Sequence, residues 1–140
     1  MKKHLLAVTF LVLGLAVLVP SVQAQSSLNL NTKVPFDFTI GSRVMPAGDY
    51  EVRGDTVRGA LIFQRADRAV SHAVISIPVQ AMQPPAKGKL VFTCYDGRCF
   101  LSQLWSPLSA TGRQFLKSKL EMEVARNSAG RNVLVAATPR

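Results

Sequence analysis

Turn signals recur every 6–15 residues along most of this chain and confine the elements between them to short segments. They stand at Gly41-Ser42, Pro46-Ala47-Gly48, Gly54-Asp55, Asp67-Arg68, residues 84–88, Asp96-Gly97, Ser106-Pro107 and Ala129-Gly130. The segments between them are rich in Val, Ile, Phe and Thr. Such residues suit a pleated, half-buried surface, so the rhythm predicts an all-β sandwich or barrel.

Period-2 alternation supports this reading. Val34, Phe36, Phe38 and Ile40 point one way, and Asp37 and Thr39 the other. Tyr50 and Val52 alternate with Asp49, Glu51 and Arg53, and Leu61 shares a face with Phe63. Ala73, Ile75, Ile77 and Val79 form a long stripe opposite His72, Val74 and Ser76. Met45-Pro46-Ala47-Gly48 fits a type I turn. Pro78 lacks a ladder donor, which places an edge or a bulge in its strand.

Residues 115–126 read differently. Leu116, Leu120 and Val124 repeat at four-residue spacing, and Lys117–Glu121 and Lys119–Glu123 pair at i,i+4. Read as a strand, Leu120, Met122 and Val124 also alternate against Glu121 and Glu123. The abundance of Leu, Met, Glu, Lys and Ala favours a helix. A last strand follows at 132–138. The expected fold is a single antiparallel β-barrel or β-sandwich domain with one short helix near the C-terminus.

Residues 89–105 form the best-defined local unit. Asp96-Gly97 suits a two-residue type I′ turn, which needs positive φ at both central positions. Counting outward, Tyr95 faces Arg98, Cys94 faces Cys99, Phe92 faces Leu101 and Leu90 faces Gln103. Cys94 and Cys99 then form a non-hydrogen-bonded pair, with Cα atoms about 4.5 Å apart, within reach of a cross-strand disulfide. The open alternatives are free thiols, a redox pair and a metal site. One face of the hairpin carries Leu90, Phe92, Cys94, Cys99, Leu101 and Trp105; the other carries Val91, Phe100 and Leu104 with Thr93 and Tyr95. Apolar residues on both faces mean that the second face is covered too, by residues 115–126, by a partner chain or by a ligand.

The N-terminus supplies the cellular context. Lys2 and Lys3 precede an apolar run over 5–19, and Val22 and Ala24 stand at the −3 and −1 positions of a signal-peptidase site. Residues 1–24 are therefore expected to be a signal peptide cleaved after Ala24, with 25–140 as one exported mature domain, periplasmic or extracellular. The run is short for a spanning helix, and no transmembrane segment is expected in the mature chain. An oxidising compartment favours the Cys94–Cys99 disulfide. The mature chain holds 15 basic against eight acidic residues, a net charge of +7. That charge favours anionic partners. An envelope polymer or another exported protein fits the location, and nucleic acid does not.

Catalytic parts are few. No G-x-S-x-G, P-loop, H-E-x-x-H or EF-hand pattern occurs, and His72 is the only histidine after the signal segment. The acidic residues fall in turns or alternate outward, so no catalytic residue, metal ligand or cofactor is assigned and the ligand-binding residues stay unknown. Tyr95, Phe100 and Trp105 beside Arg98 could stack a sugar or base, or belong to the core or rim of the hairpin. The expected function is that of a non-enzymatic binding module. The alternatives are a small barrel carrying an apolar ligand and, after it, an enzyme of unknown class.

The stretches VPFDFTIGSRVMPAGDYEV, KLVFTCYDGRCFLSQLWSP and GRQFLKSKLEMEVAR resemble those of a group of small exported acidobacterial proteins. That group carries a VPFDFxxG…LPAGxYxV opening and a later aromatic hairpin. The resemblance covers most of 34–126 and implies a shared β fold and export. It carries over no functional residues. Met45 replaces the usual Leu, and the cysteines flank a turn where the group has aromatic or polar residues.

Overall fold

In a computed structural model, which describes residues 27–56 and 58–140, strand β1 (Ser27–Val34) alternates exposed and buried residues without a break. The short strands β2 (Phe38–Ile40) and β3 (Arg43–Met45) follow. Then come β4 (Gly48–Asp55), β5 (Ala60–Arg65) and β6 (Ser71–Gln80). The hairpin strands β7 (Gly88–Tyr95) and β8 (Arg98–Trp105) lead to β9 (Thr111–Phe115), helix α1 (Lys119–Asn127) and β10 (Arg131–Pro139). The expected signal segment and its cleavage site lie outside the described residues. No helix among the described residues is long and apolar enough to cross a membrane.

Eight strands close into an antiparallel barrel in the order β8-β7-β10-β1-β4-β5-β6-β9, with β9 returning to β8. The barrel form of the expected β fold is thus the one adopted. Two strands divide their pairing to close it. β8 takes β2 as a parallel neighbour at Cys99 and Phe100, and β9 at Gln103 and Leu104. β6 pairs with β5 through Ile75 and with β9 from Ser76 onward. Pro78 therefore lies where β6 is paired only on the β9 side among the described pairings, a local edge that tolerates a residue without an N–H.

The interior is filled by side chains. Leu30, Val52, Leu61, Phe63, Leu90, Phe92, Leu101 and Val135 converge from around the ring, with Phe38, Ile40 and Met45 contributed by the β2–β3 hairpin. Phe92 meets Phe36 and Phe38 edge-on at centroid distances of 5.2 and 5.3 Å, and Phe38 meets Tyr50 at 5.4 Å. Edge-to-face contact suits the aromatic quadrupole and adds to the area buried.

The β7–β8 hairpin keeps the expected pairs Tyr95↔Arg98, Cys94↔Cys99 and Phe92↔Leu101, and both Asp96 (φ 45) and Gly97 (φ 82) occupy positive φ. Beyond them a bulge between Val91 and Phe92 shifts the register, so Leu90 faces Leu104 instead of Gln103. Ser102 is left without a partner in the ladder, and its Oγ donates to the Val91 carbonyl at 3.0 Å. One extra residue reverses the alternation. Leu104 joins the core, while Trp105 leaves the core-facing set expected for it and packs over Gly112.

The apolar stripe of β6 also points outward, with Ile75 64% and Ile77 43% exposed. Its cross-strand partners decide this. Leu61↔Val74 and Ser76↔Phe115 fix Val74 and Ser76 on the inner side, because directly paired residues share a face.

Helix α1 is the expected short C-terminal helix, opened by a Ser118 cap whose Oγ accepts from the Glu121 N–H at 3.1 Å. It is rotated from the expected face. Starting at Lys119, it excludes Leu116, and Leu120 and Met122 are exposed while Glu121 is buried and Val124 and Ala125 half-buried. The chain from β9 to β10 has to pass β8 and β7, the two strands lying between them. The second face of the hairpin, with Val91, Tyr95 and Phe100, is buried within this single chain. Gly130 lies against Tyr95 and Thr93, and the Ser128 hydroxyl donates to the Asp96 carboxylate at the hairpin tip.

Candidate functional site

Cys94 and Cys99 face each other across the hairpin with Sγ atoms at bonding distance, 2.03 Å, and Cα atoms 4.0 Å apart. Cys94 belongs to the core cluster and Cys99 packs against it. The pair fastens the end of the hairpin beside β2, where Phe38 pairs with Cys99.

A concavity lies elsewhere on the barrel. A groove of about 940 Å³ crosses β10, β1, β4 and β5 and reaches the turn after β5. Its floor follows from register: Thr138 pairs with Asn31, Asn31 with Glu51 and Glu51 with Gln64, which sets four polar residues in one row across four strands. The groove is lined by five cations, Lys33, Arg53, Arg65, Arg68 and Arg140, and by two acids, Asp49 and Glu51. Glu51 organises two of the arginines. Its Oε1 lies 2.7 Å from Arg140 Nη1 and 3.5 Å from Arg53 Nε, while Arg53 Nη2 donates to Gln64 Oε1 at 2.7 Å. Arg65 is held 3.3 Å from the Asp67 carboxylate. Tyr50, a buried residue, also lines the groove; burial raises its pKa, and its hydroxyl donates to the Pro46 carbonyl at 2.5 Å. Chemically, this is a row of hydrogen-bonding groups flanked by oriented guanidinium groups, which favours oxyanions.

The other residues weighed from the sequence do not assemble into a second set. His72 is half-buried opposite Phe63, and its pKa is lowered by burial and by Arg43. Tyr95, Phe100 and Trp105 are buried, with Tyr95 and Phe100 edge-to-face at 6.1 Å, so they present no exposed stacking platform. Among the described residues, no group of three or more His, Cys, Asp or Glu could hold a metal ion. No protein-family model, curated protein or solved structure matches this chain. Sequence reasoning assigned no ligand residues, yet Asp49, Glu51 and Arg53 alternate visibly with Tyr50 and Val52 along β4. Their juxtaposition with Arg140 needed the placement of β10 beside β1.

Proposed function

We propose that the mature chain is an exported, non-enzymatic binding module that holds an anionic polymer of the cell envelope or extracellular space along the groove over β10, β1, β4 and β5. The observation that carries the reading is the groove's cationic excess, with Glu51 holding Arg53 and Arg140 in place. Pre-oriented guanidinium groups lose less freedom on binding than free side chains do. The Lys2-Lys3 start, the apolar run over 5–19 and the cleavage-like site after it support export, as does the pairing of Cys94 with Cys99 across the hairpin. The resemblance of the opening motif to that of an exported acidobacterial group accords with that location. The side chains filling the barrel weigh against a carrier with an apolar ligand inside it. A second reading, an exported protein as partner, draws on the outward apolar stripe of Ile62, Ile75 and Ile77.

Immobilised polygalacturonate tests the proposal. The mature chain should be retained at low salt and released near 1 M salt, where the Debye length falls to about 3 Å. Neutral dextran should not retain it. The double variant Arg53→Glu, Arg68→Glu should lose retention. Equal retention of that variant, or retention indifferent to salt, would overturn the proposal.

A further inference from the structure

A second concavity, of about 660 Å³, opens at the barrel rim between Thr56, Arg58 and Gly59 on one side and Ser106 and Ser109 on the other. At its inner side is Arg113, which shares the inward side of β9 with Phe115 and is 6% exposed. Three bonds fix its guanidinium: Nε donates to Ser76 Oγ at 2.9 Å, Nη2 to the Ser76 carbonyl at 2.6 Å and Nη1 to the Thr56 carbonyl at 3.1 Å. All three acceptors are uncharged oxygens. A guanidinium has five N–H groups, so these bonds leave two for a ligand.

The seat is built around this group. Ser76, itself buried, donates through N and Oγ to the Gly59 carbonyl at 2.8 and 2.9 Å. Gly59 has φ +73, and a Cβ there would lie 2.4 Å from the Ser76 carbonyl oxygen and 2.5 Å from Arg113 Nη2. Only glycine leaves space for both the backbone turn and the guanidinium. The described lining contains no acidic side chain; Arg58, 3.5 Å from the Asp55 carboxylate, adds a second, exposed cation, and Ser109 and Thr111 add hydroxyls. Leu28, Leu104 and Pro78 supply an apolar wall.

A buried cation among neutral oxygens favours a counter-anion, and the guanidinium fork matches a carboxylate in two parallel bonds. An apolar wall beside it suits a short hydrocarbon tail, and the volume is that of a small-molecule site. We propose that this mouth is a binding site, separate from the groove, for a small molecule with a carboxylate head on Arg113 and a short apolar tail against Leu28 and Leu104.

Calorimetric titration of the mature chain with hexanoate, hexanol and inorganic phosphate tests this. Hexanoate should bind at least about tenfold more tightly than either of the others, since each lacks one half of the recognised chemistry. Arg113→Gln should weaken hexanoate at least about tenfold. Because Arg113 also braces the turn, Thr111→Phe serves as a second variant: it fills the mouth, leaves the three guanidinium bonds in place and should abolish hexanoate binding. It should leave retention on polygalacturonate unchanged, which separates this site from the groove. The proposal is overturned if hexanoate binds no better than hexanol or phosphate, or if Thr111→Phe binds it as the parent does.

Discussion

Glu121 offers the sharpest test of how α1 seats on the barrel. The residue is 4% exposed, and its Oε1 has no hydrogen-bond partner. Burial raises its pKa above the ordinary value of 4.5, and the nearby Lys117 ammonium offsets part of that rise. The sign follows from linkage. A carboxyl whose folded pKa is raised binds its proton more tightly in the native state. Stability therefore falls as pH climbs from the ordinary value through the raised one, and levels off above it. Glu121→Gln keeps the shape and removes the charge. An unsatisfied buried polar group costs about 1–3 kcal/mol, and the amide retains part of that cost. The expected gain at pH 7 is then about 1 kcal/mol, or roughly 4 °C in Tm for a domain of this size. Near pH 4 the two proteins should converge. Urea unfolding of both at pH 4, 5, 6, 7 and 8, followed by tryptophan fluorescence, reads the difference directly. If Glu121→Gln unfolds at a fixed offset from the parent at every pH, or is less stable at pH 8, the carboxylate is satisfied and this account of the helix fails.

Replacing both Cys94 and Cys99 by Ala should lower stability by about 2 kcal/mol, the chain-entropy worth of so small a loop, and the parent should lose a similar amount in reductant; matched denaturant curves check this. Gly112→Ala should cost about 1–3 kcal/mol, because the new Cβ would lie 2.5 Å from the Trp105 ring, and the tryptophan emission should shift as the ring is displaced. Mass spectrometry of the exported protein should find Gln25 at its N-terminus; a chain still starting at Met1 would end the cleavage reading.

Much of the barrel was legible because its rules are local. Turn chemistry at Asp96-Gly97 set the hairpin and placed Cys94 opposite Cys99, and alternation in β4 and β5 named Tyr50, Val52, Leu61 and Phe63, whereas residues 27–32, polar enough to read as a loose lead-in, form most of β1. What escaped was set by non-local events. Nothing in the composition of 89–105 marks Ser102 as the bulged residue, yet that single insertion exchanged Leu104 and Trp105 between faces. The outward turn of the β6 stripe likewise depends on pairing with β5 and β9, from opposite sides in sequence. Choosing barrel over sandwich needed the β8–β9 pairing, which residue patterns alone do not disclose.

The candidate sites follow the same division. Strands distant in sequence supply the groove, so only its β4 members Asp49, Glu51 and Arg53 could be seen as an outward row. Arg113 and Glu121 carry the further lesson. Each is charged and buried. For Glu121, the helix that opens at the Ser118 cap carries the residue on its buried side. For Arg113, the parity of Phe115, fixed by its pairing with Ser76, turns the residue inward. The two burials differ in what they ask of the rest of the molecule. Arg113 is met by three protein acceptors and faces an open concavity, so it has both a fixed geometry and access for a ligand. Glu121 has an oxygen with neither, and its natural relief is a proton. That contrast is why the mouth at Arg113 is read as a binding site and the helix at Glu121 as a cost to stability.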